Sequence, residues 1–222
     1  MDFNDSQQEA EFRKEAREFL EANAEKRSII ADKPNDKGSQ VAVAGAPETV
    51  KGGLEAAQAA LENAKVWQKK KADAGFAAIL WPKEFGGYGG SPIQQVVYSQ
   101  EEHDFLVPSG YFEIGIGMLG PTMMVWGKDE DKKRYLPKMI TGEEIWCQLF
   151  SEPSAGSDLA GIKMKAEKDG DEWVLNGQKV WTSGAHFADF GMIVARSDPS
   201  ALKHKGLTYF YLDMKTPGIE VR

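Results

Sequence analysis

The residues best suited to chemistry lie in one stretch, Phe150-Ser-Glu-Pro-Ser-Ala-Gly-Ser-Asp-Leu-Ala-Gly161. Small hydroxyl residues and glycines there follow an apolar run and precede another. A loop of this composition can turn several backbone N–H groups and two hydroxyls toward one planar polar ligand or a phosphate. An ordinary solvated turn has the same composition and is the competing reading. Further along comes Val180-Trp-Thr-Ser-Gly-Ala-His-Phe-Ala-Asp189, in which a tryptophan is followed directly by two hydroxyls. A tryptophan on a strand more often packs in a core than against a ligand. It is the two segments together, on one β unit, that point to a site.

Other candidates carry less. Gly115-Ile-Gly-Met-Leu-Gly120 has the spacing of a dinucleotide fingerprint, but Pro121 follows the last glycine and the flanks show no strand-to-helix switch. Close helix packing explains those glycines better. Glu152 has the chemistry of a base and His186 that of an acid, yet a lone Glu or His on a turn usually hydrogen-bonds locally, and both are read as structural. His103 and His204 have no ligand partners at metal spacing, so no metal is expected.

Composition narrows the classes. The 222 residues carry a formal charge of -7, which offers no broad basic surface to nucleic acid or an anionic membrane. A single cysteine, Cys147, provides neither an internal disulfide nor a CxxC pair, which reads as an intracellular, zinc-free chain with a buried thiol. The acidic start, Met1 to Ser6, is followed by no apolar signal region, and no run reaches the roughly 18 to 20 apolar residues of a membrane span. The expected location is the cytoplasm.

The elements that must position the two segments follow from periodicity. Ser6 and Glu9 form a capping-box pair, and Phe12, Ala16, Phe19 and Leu20 share a face, so a first helix is expected from Ser6 to Lys26. Residues 32–47 read as a long mobile connection. A second helix starts at Glu48 and runs to Gly75 with Leu54, Ala57, Leu61, Ala64 and Trp67 on one side. A glycine-dense loop, 81–91, leads to Ser91-Pro92, an N-cap with proline at the first helical position, and two or three helices extend to Thr141. Strands are then expected at 146–150, 162–167, 173–175, 179–182, 190–195 and 207–212, with tight turns at Asp169-Gly170 and Asn176-Gly177. Helices followed by antiparallel strands give the class α+β, with an all-α domain over 1–144 and a β domain over 145–222.

Taken with Trp81-Pro-Lys-Glu-Phe-Gly-Gly87, these motifs resemble an acyl-CoA dehydrogenase. Glu152-Pro-Ser-Ala-Gly-Ser-Asp158 is similar to the family's first signature and Asn176-Gly-Gln-Lys-Val-Trp-Thr-Ser183 to its second flavin segment. Tyr135-Leu-Pro137, Thr141-Gly-Glu143, Lys205-Gly-Leu207 and Pro217-Gly-Ile219 fall in the family order. The resemblance implies an N-terminal helical bundle followed by an antiparallel β-barrel-like domain, incomplete here and cut before a C-terminal four-helix bundle. It implies FAD as cofactor and oxidation of an acyl-CoA thioester to its 2,3-enoyl form. A carboxylate, expected beyond Arg222, removes the α-proton while the β-hydride passes to flavin N5.

Carried over by position, the resemblance gives Gln148, Phe150, Ser151, Gly156, Ser157, Trp181, Thr182 and Ser183 to the cofactor, and Ser157 also to the substrate. Phe150 and Ser151 would face the pyrimidine edge, Gly156 and Ser157 the pyrophosphate and CoA arm, Trp181 the ring face away from substrate, and Thr182 and Ser183 the region of O4 and N5. Ser151 and Ser183 stand where relatives often have threonine, Gly184 where several have asparagine, and Ser154 where many have glycine. The Trp181 to His186 run resembles members acting on branched, aromatic or steroid side-chain acyl-CoAs. Partners implied are an electron-transfer flavoprotein and further copies, as a homodimer or homotetramer, or a related subunit in a hetero-oligomer. A noncatalytic assembly subunit and a flavin oxidase on the same fold remain as alternatives.

Overall fold

The structure, a computed structural model, describes residues 5–27 and 53–222. The connection expected at 32–47 and the first residues of the second helix lie outside them. The described chain divides into two compact units, Met1–Glu143 and Glu144–Arg222.

In the first unit, helix α1 spans Gln7–Asn23 and ends three residues before the expected Lys26. Its start is the expected capping box: the Glu9 N–H donates to Ser6 Oγ and the Ser6 N–H to the Glu9 carboxylate. Strand β1, Glu25–Lys26, follows and pairs with β2, Phe105–Leu106. Helix α2 covers Gly53–Asp73, and its buried face is confined to Ala64, Trp67 and Gln68. Leu54, expected on that face, is 76% exposed, because the periodic pattern begins before the helix reaches the core. Helix α3, Pro92–His103, has the predicted Ser91 cap, and Gln94 completes a second capping box.

Phe12, Ala16 and Leu20 of α1 close on Trp67, Phe76, Ile79, Val97 and Tyr98 to form the core of this unit. An ion cluster fastens α1 to α3: buried Glu101 accepts from Arg13 at 3.0 Å and from Arg17 at 2.8 and 2.9 Å. Those bonds, Arg17 foremost, hold the Glu101 carboxyl below its usual range against the opposing effect of burial.

The glycine-rich stretch that mimics a dinucleotide fingerprint has a structural explanation. Gly115–Leu119 forms a π-turn that runs into α4, Gly120–Trp126, and α5 follows over Asp129–Thr141. In the π register the Ile116 carbonyl faces Pro121, which has no N–H to give. The indole Nε1 of buried Trp81 supplies that bond instead, at 2.9 Å. The same ring lies so close to Gly120 that a Cβ there would stand 1.9 Å from it.

The second unit is built on a five-stranded sheet. Its strands are β3 (Trp146–Leu149), β4 (Lys165–Asp169), β5 (Glu172–Asn176), β6 (Phe190–Arg196) and β7 (Leu207–Asp213). Central β6 carries β7 antiparallel along one edge, and on the other edge β3 and then β4, both parallel to it. The class is α+β as expected, but the sheet is mixed rather than antiparallel. Parallel pairing of β3 with β6 requires a long crossover, and the two site segments with the β4–β5 hairpin between them provide it. Gly170-Asp171 closes that hairpin, with Gly170 at φ +59°. Asn176-Gly177 closes none: β5 ends at Asn176, and residues 179–182 form no strand.

Gly120→Ala is expected to destabilise the protein by about 1–3 kcal/mol, since the buried Trp81 ring has no room to yield. Chemical denaturation checks this, and an unshifted midpoint would show that the ring moves aside freely.

Candidate functional site

One buried ion pair organises both site segments. Glu152 accepts from the backbone N–H groups of Lys163 at 2.6 Å and Met164 at 3.0 Å, and from Lys179 Nζ at 2.9 Å. The ammonium of Lys179 also donates to the carbonyls of Phe150 at 3.0 Å and Val194 at 2.8 Å. Both side chains are almost sealed, at 5% and 4% exposure. The pair thus ties the start of the first segment, the entry to β4, the second segment and β6 at one point.

Burial alone would raise the Glu152 carboxyl, but the bonds from Lys179, Lys163 and Met164 outweigh it and hold the group below its usual range. Burial pulls Lys179 down, with Glu152 opposing. All three ammonium hydrogens have an acceptor at 2.8–3.0 Å, which is the geometry of the charged form, so the direction seen at the carboxylate governs the pair. Glu152 is therefore committed to structure and is not placed to work as a base. Lys179 does not stand out in the sequence. The signal for it is a lysine in an apolar, strand-like run, with an acid in the neighbouring loop.

From this anchor the first segment forms a tight turn. Glu152 and Ala155 exchange reciprocal backbone bonds of 2.7 and 3.0 Å across Pro153-Ser154. Gly156, Ser157 and Asp158 then form an exposed tip, and open space surrounds the position of a Cβ at Gly156. A 3-10 turn at Leu159–Gly161 ends the loop. Arg196 of β6 holds that exit through the carbonyls of Ala160 at 2.7 Å and Ile162 at 3.1 Å. Both ends of the loop are thus fixed by cations, and the tip faces solvent.

The second segment departs from the expected strand. The Val180 N–H donates to the Ser151 carbonyl at 2.9 Å, joining the two segments. Trp181 then enters the left-handed region at φ +59°, where a bulky residue is strained, and it is 91% exposed. It is neither on a strand nor in the core. The adjoining Thr182 has a buried Oγ1 without a hydrogen-bond partner among the described residues, while Ser183 is exposed. Gly184 sits at φ +78° against Phe187, a left-handed position that glycine and asparagine both suit. Ala185 N–H closes a turn onto the Thr182 carbonyl, and Phe187 and Ala188 N–H groups close onto Gly184.

Of the remaining residues named from the sequence, Gln148 is half-buried on β3 opposite Met192, and Phe150 and Ser151 are half-buried at the hinge of the first segment. Hydrogen bonds bring Phe150, Ser151, Lys179 and Val180 together. No backbone bond among the described residues joins Gly156 or Ser157 to Trp181, Thr182 or Ser183. His186 is exposed and meets the Phe187 ring edge-on at 4.7 Å. Cys147 is buried beside Met214, and burial pushes its thiol up to about 12. Among the described residues no cluster of three or more His, Cys, Asp or Glu is placed to hold a metal, and no helix is long and apolar enough to cross a membrane.

Residues 39–143 match the N-terminal domain model of the acyl-CoA dehydrogenases, and residues 147–222 match the middle domain model. The chain belongs to the acyl-CoA dehydrogenase family. It is 39% identical over 163 residues to acyl-CoA dehydrogenase IpdE1 of Mycobacterium tuberculosis, covering 73% of this chain and 42% of that protein. With acyl-CoA dehydrogenase FadE34 of the same organism it shares 46% over 172 residues, covering 76% and 24%. Among solved structures, the Tcur3481-Tcur3483 steroid ACAD superposes with a TM-score of 0.73 at 32% identity, over 98% of this chain and 50% of that one. The ChsE4-ChsE5 complex from Mycobacterium tuberculosis superposes with a TM-score of 0.66 at 30% identity, covering 97% and 49%. The chain thus spans about half, or less, of each of these relatives.

Glu152→Ala is expected to cost about 3–5 kcal/mol, because it strands a buried ammonium. The pH dependence has a definite sign. Since the folded carboxyl lies below the unfolded value of about 4.3, its contribution is complete above that pH and is lost as pH falls through the folded value. Acid unfolding of wild type followed beside Glu152→Gln checks this, and parallel curves below about pH 4 would contradict it.

Proposed function

We propose that the intact protein oxidises an acyl-CoA thioester to the 2,3-enoyl-CoA, with FAD held on this chain's two site segments. The observation that carries the reading is an indole 91% exposed on strained backbone, directly followed by a buried hydroxyl with no partner among the described residues. An exposed flat apolar face beside an orphaned donor fits a planar ligand with a polar edge, and the donor set suits FAD.

When bound, FAD supplies the acceptor for the substrate's β-hydrogen, as a hydride. The chain's own residues bind and orient. Phe150 and Ser151 provide backbone and hydroxyl donors for the pyrimidine edge, with Gln148 beside them on β3. Trp181 would cover one ring face and exclude water, and Thr182 and Ser183 would serve the adjoining region of O4 and N5. The open tip at Gly156 and Ser157 takes the pyrophosphate and the CoA arm. Glu152 is occupied by its three donors, so we assign proton abstraction to a carboxylate elsewhere in the intact protein.

A bulky acyl group is the substrate class we favour, since a relative at 32% identity over 98% of this chain is named a steroid ACAD. The two-component name of the ChsE4-ChsE5 complex supports a second reading, in which this chain pairs with a related subunit and itself performs no chemistry. Retention of the donors at Ser151, Ser157 and Thr182 favours the catalytic reading.

The intact protein is expected to be yellow, to bleach anaerobically on addition of a saturated acyl-CoA, and to reoxidise slowly in air but rapidly with an electron-transfer flavoprotein. Absorbance in the flavin bands checks all three. A colourless protein would favour the noncatalytic subunit, and rapid reoxidation by oxygen alone would make it an oxidase.

A further inference from the structure

Lys179 does more than neutralise a buried acid. Its ammonium donates to the Phe150 carbonyl at 3.0 Å, and that carbonyl belongs to the peptide whose N–H is that of Ser151. The chain has no cis peptide among its described residues, so this C=O and N–H point in opposite directions. With the carbonyl drawn inward to Lys179, the Ser151 N–H is turned away from the buried charge. It has no backbone hydrogen-bond partner among the described residues. The next peptide is fixed as well, because the Ser151 carbonyl accepts from Val180, the residue before Trp181.

A cation bonded to the carbonyl end of a peptide also polarises it and strengthens its N–H as a donor. The effect is large here because the ammonium is sealed from water at 4% exposure. Glu152 does not bond to the Phe150–Ser151 peptide: its carboxylate is taken up by Lys163, Met164 and Lys179.

We propose that Lys179 is the positioning residue of the flavin edge, fixing and polarising the Phe150–Ser151 peptide so that the Ser151 N–H meets the pyrimidine edge of FAD and favours its reduced form. The proposal rests on the flavin reading above. Reduction adds negative charge to that edge, so a stronger donor there binds reduced FAD more tightly than oxidised FAD. Glu152 has a different part: it keeps the lysine in place and lowers the cost of burying it.

The test measures the midpoint potential of FAD bound to the intact protein, for wild type, Lys179→Met, Lys179→Arg and Glu152→Gln. For Lys179→Met the preference for reduced over oxidised FAD is expected to fall about tenfold, which is about 30 mV for a two-electron couple. Lys179→Arg is expected to recover most of it, and Glu152→Gln, though less stable, to keep the wild-type potential or exceed it. A purely structural role would move Lys179→Met and Glu152→Gln in the same direction. The double variant Glu152→Gln with Lys179→Met removes both charges together, which guards against misfolding from a stranded ion, and is expected to show the same fall as Lys179→Met. A wild-type potential in Lys179→Met or in the double variant, or an equal fall in Glu152→Gln, overturns the proposal alone. A wild-type protein that holds no flavin overturns the flavin reading and this proposal with it.

Discussion

The ion pair between Glu152 and Lys179 is the constraint on which the second unit depends. Two segments separated by a β-hairpin meet because one ammonium reaches Phe150, Glu152 and Val194 at once. Removing two charges from water costs several kcal/mol per ion, and the sheet offsets that cost only by satisfying the hydrogens and lone pairs it buries. Such a cost is hard to rationalise by stability alone, since well-packed apolar residues would serve as well. It is consistent with a site that needs two loops held in a fixed relation while their outer surfaces remain unpaired.

Those outer surfaces have the opposite character. Trp181 stands exposed on left-handed backbone and Gly156 faces open space, and just inside that rim the buried Thr182 hydroxyl is unmatched among the described residues. A satisfied interior beside an unsatisfied rim is the pattern expected where strain and unmatched donors are retained for a ligand. The first unit uses the same chemistry to another end. There the indole of Trp81 is buried, and its N–H replaces the one that Pro121 lacks.

Much of this was legible in the sequence where the cause is local. The caps at Ser6 and Ser91 and the β4–β5 turn depend on residues within a few positions of one another: the caps formed as expected, and the turn closed one residue later, at Gly170-Asp171 rather than Asp169-Gly170. Parallel pairing of β3 with β6 was not legible, because it joins residues far apart in the chain. The run from Lys179 to Thr182 has the composition of a strand, yet a buried lysine at its start and a left-handed tryptophan within it override that propensity. Trp181 is the sharpest case: general preference places such a residue in a core, and only family resemblance pointed outward. The role of Lys179 is not legible in the sequence, because it arises only where acceptors on Phe150, Glu152 and Val194 converge on one ammonium.

The central claim is that these loops hold a flat face in readiness for FAD, and the environment of Trp181 tests it most directly. Tryptophan emission of the intact protein, compared with that of Trp181→Phe so that the difference isolates this one ring, would be measured with and without bound FAD under acrylamide quenching. The account predicts that the Trp181 component is readily quenched by acrylamide in the apoprotein and is lost or fully shielded once FAD is bound. An emission component that stays equally accessible to acrylamide with one FAD bound per chain would contradict it.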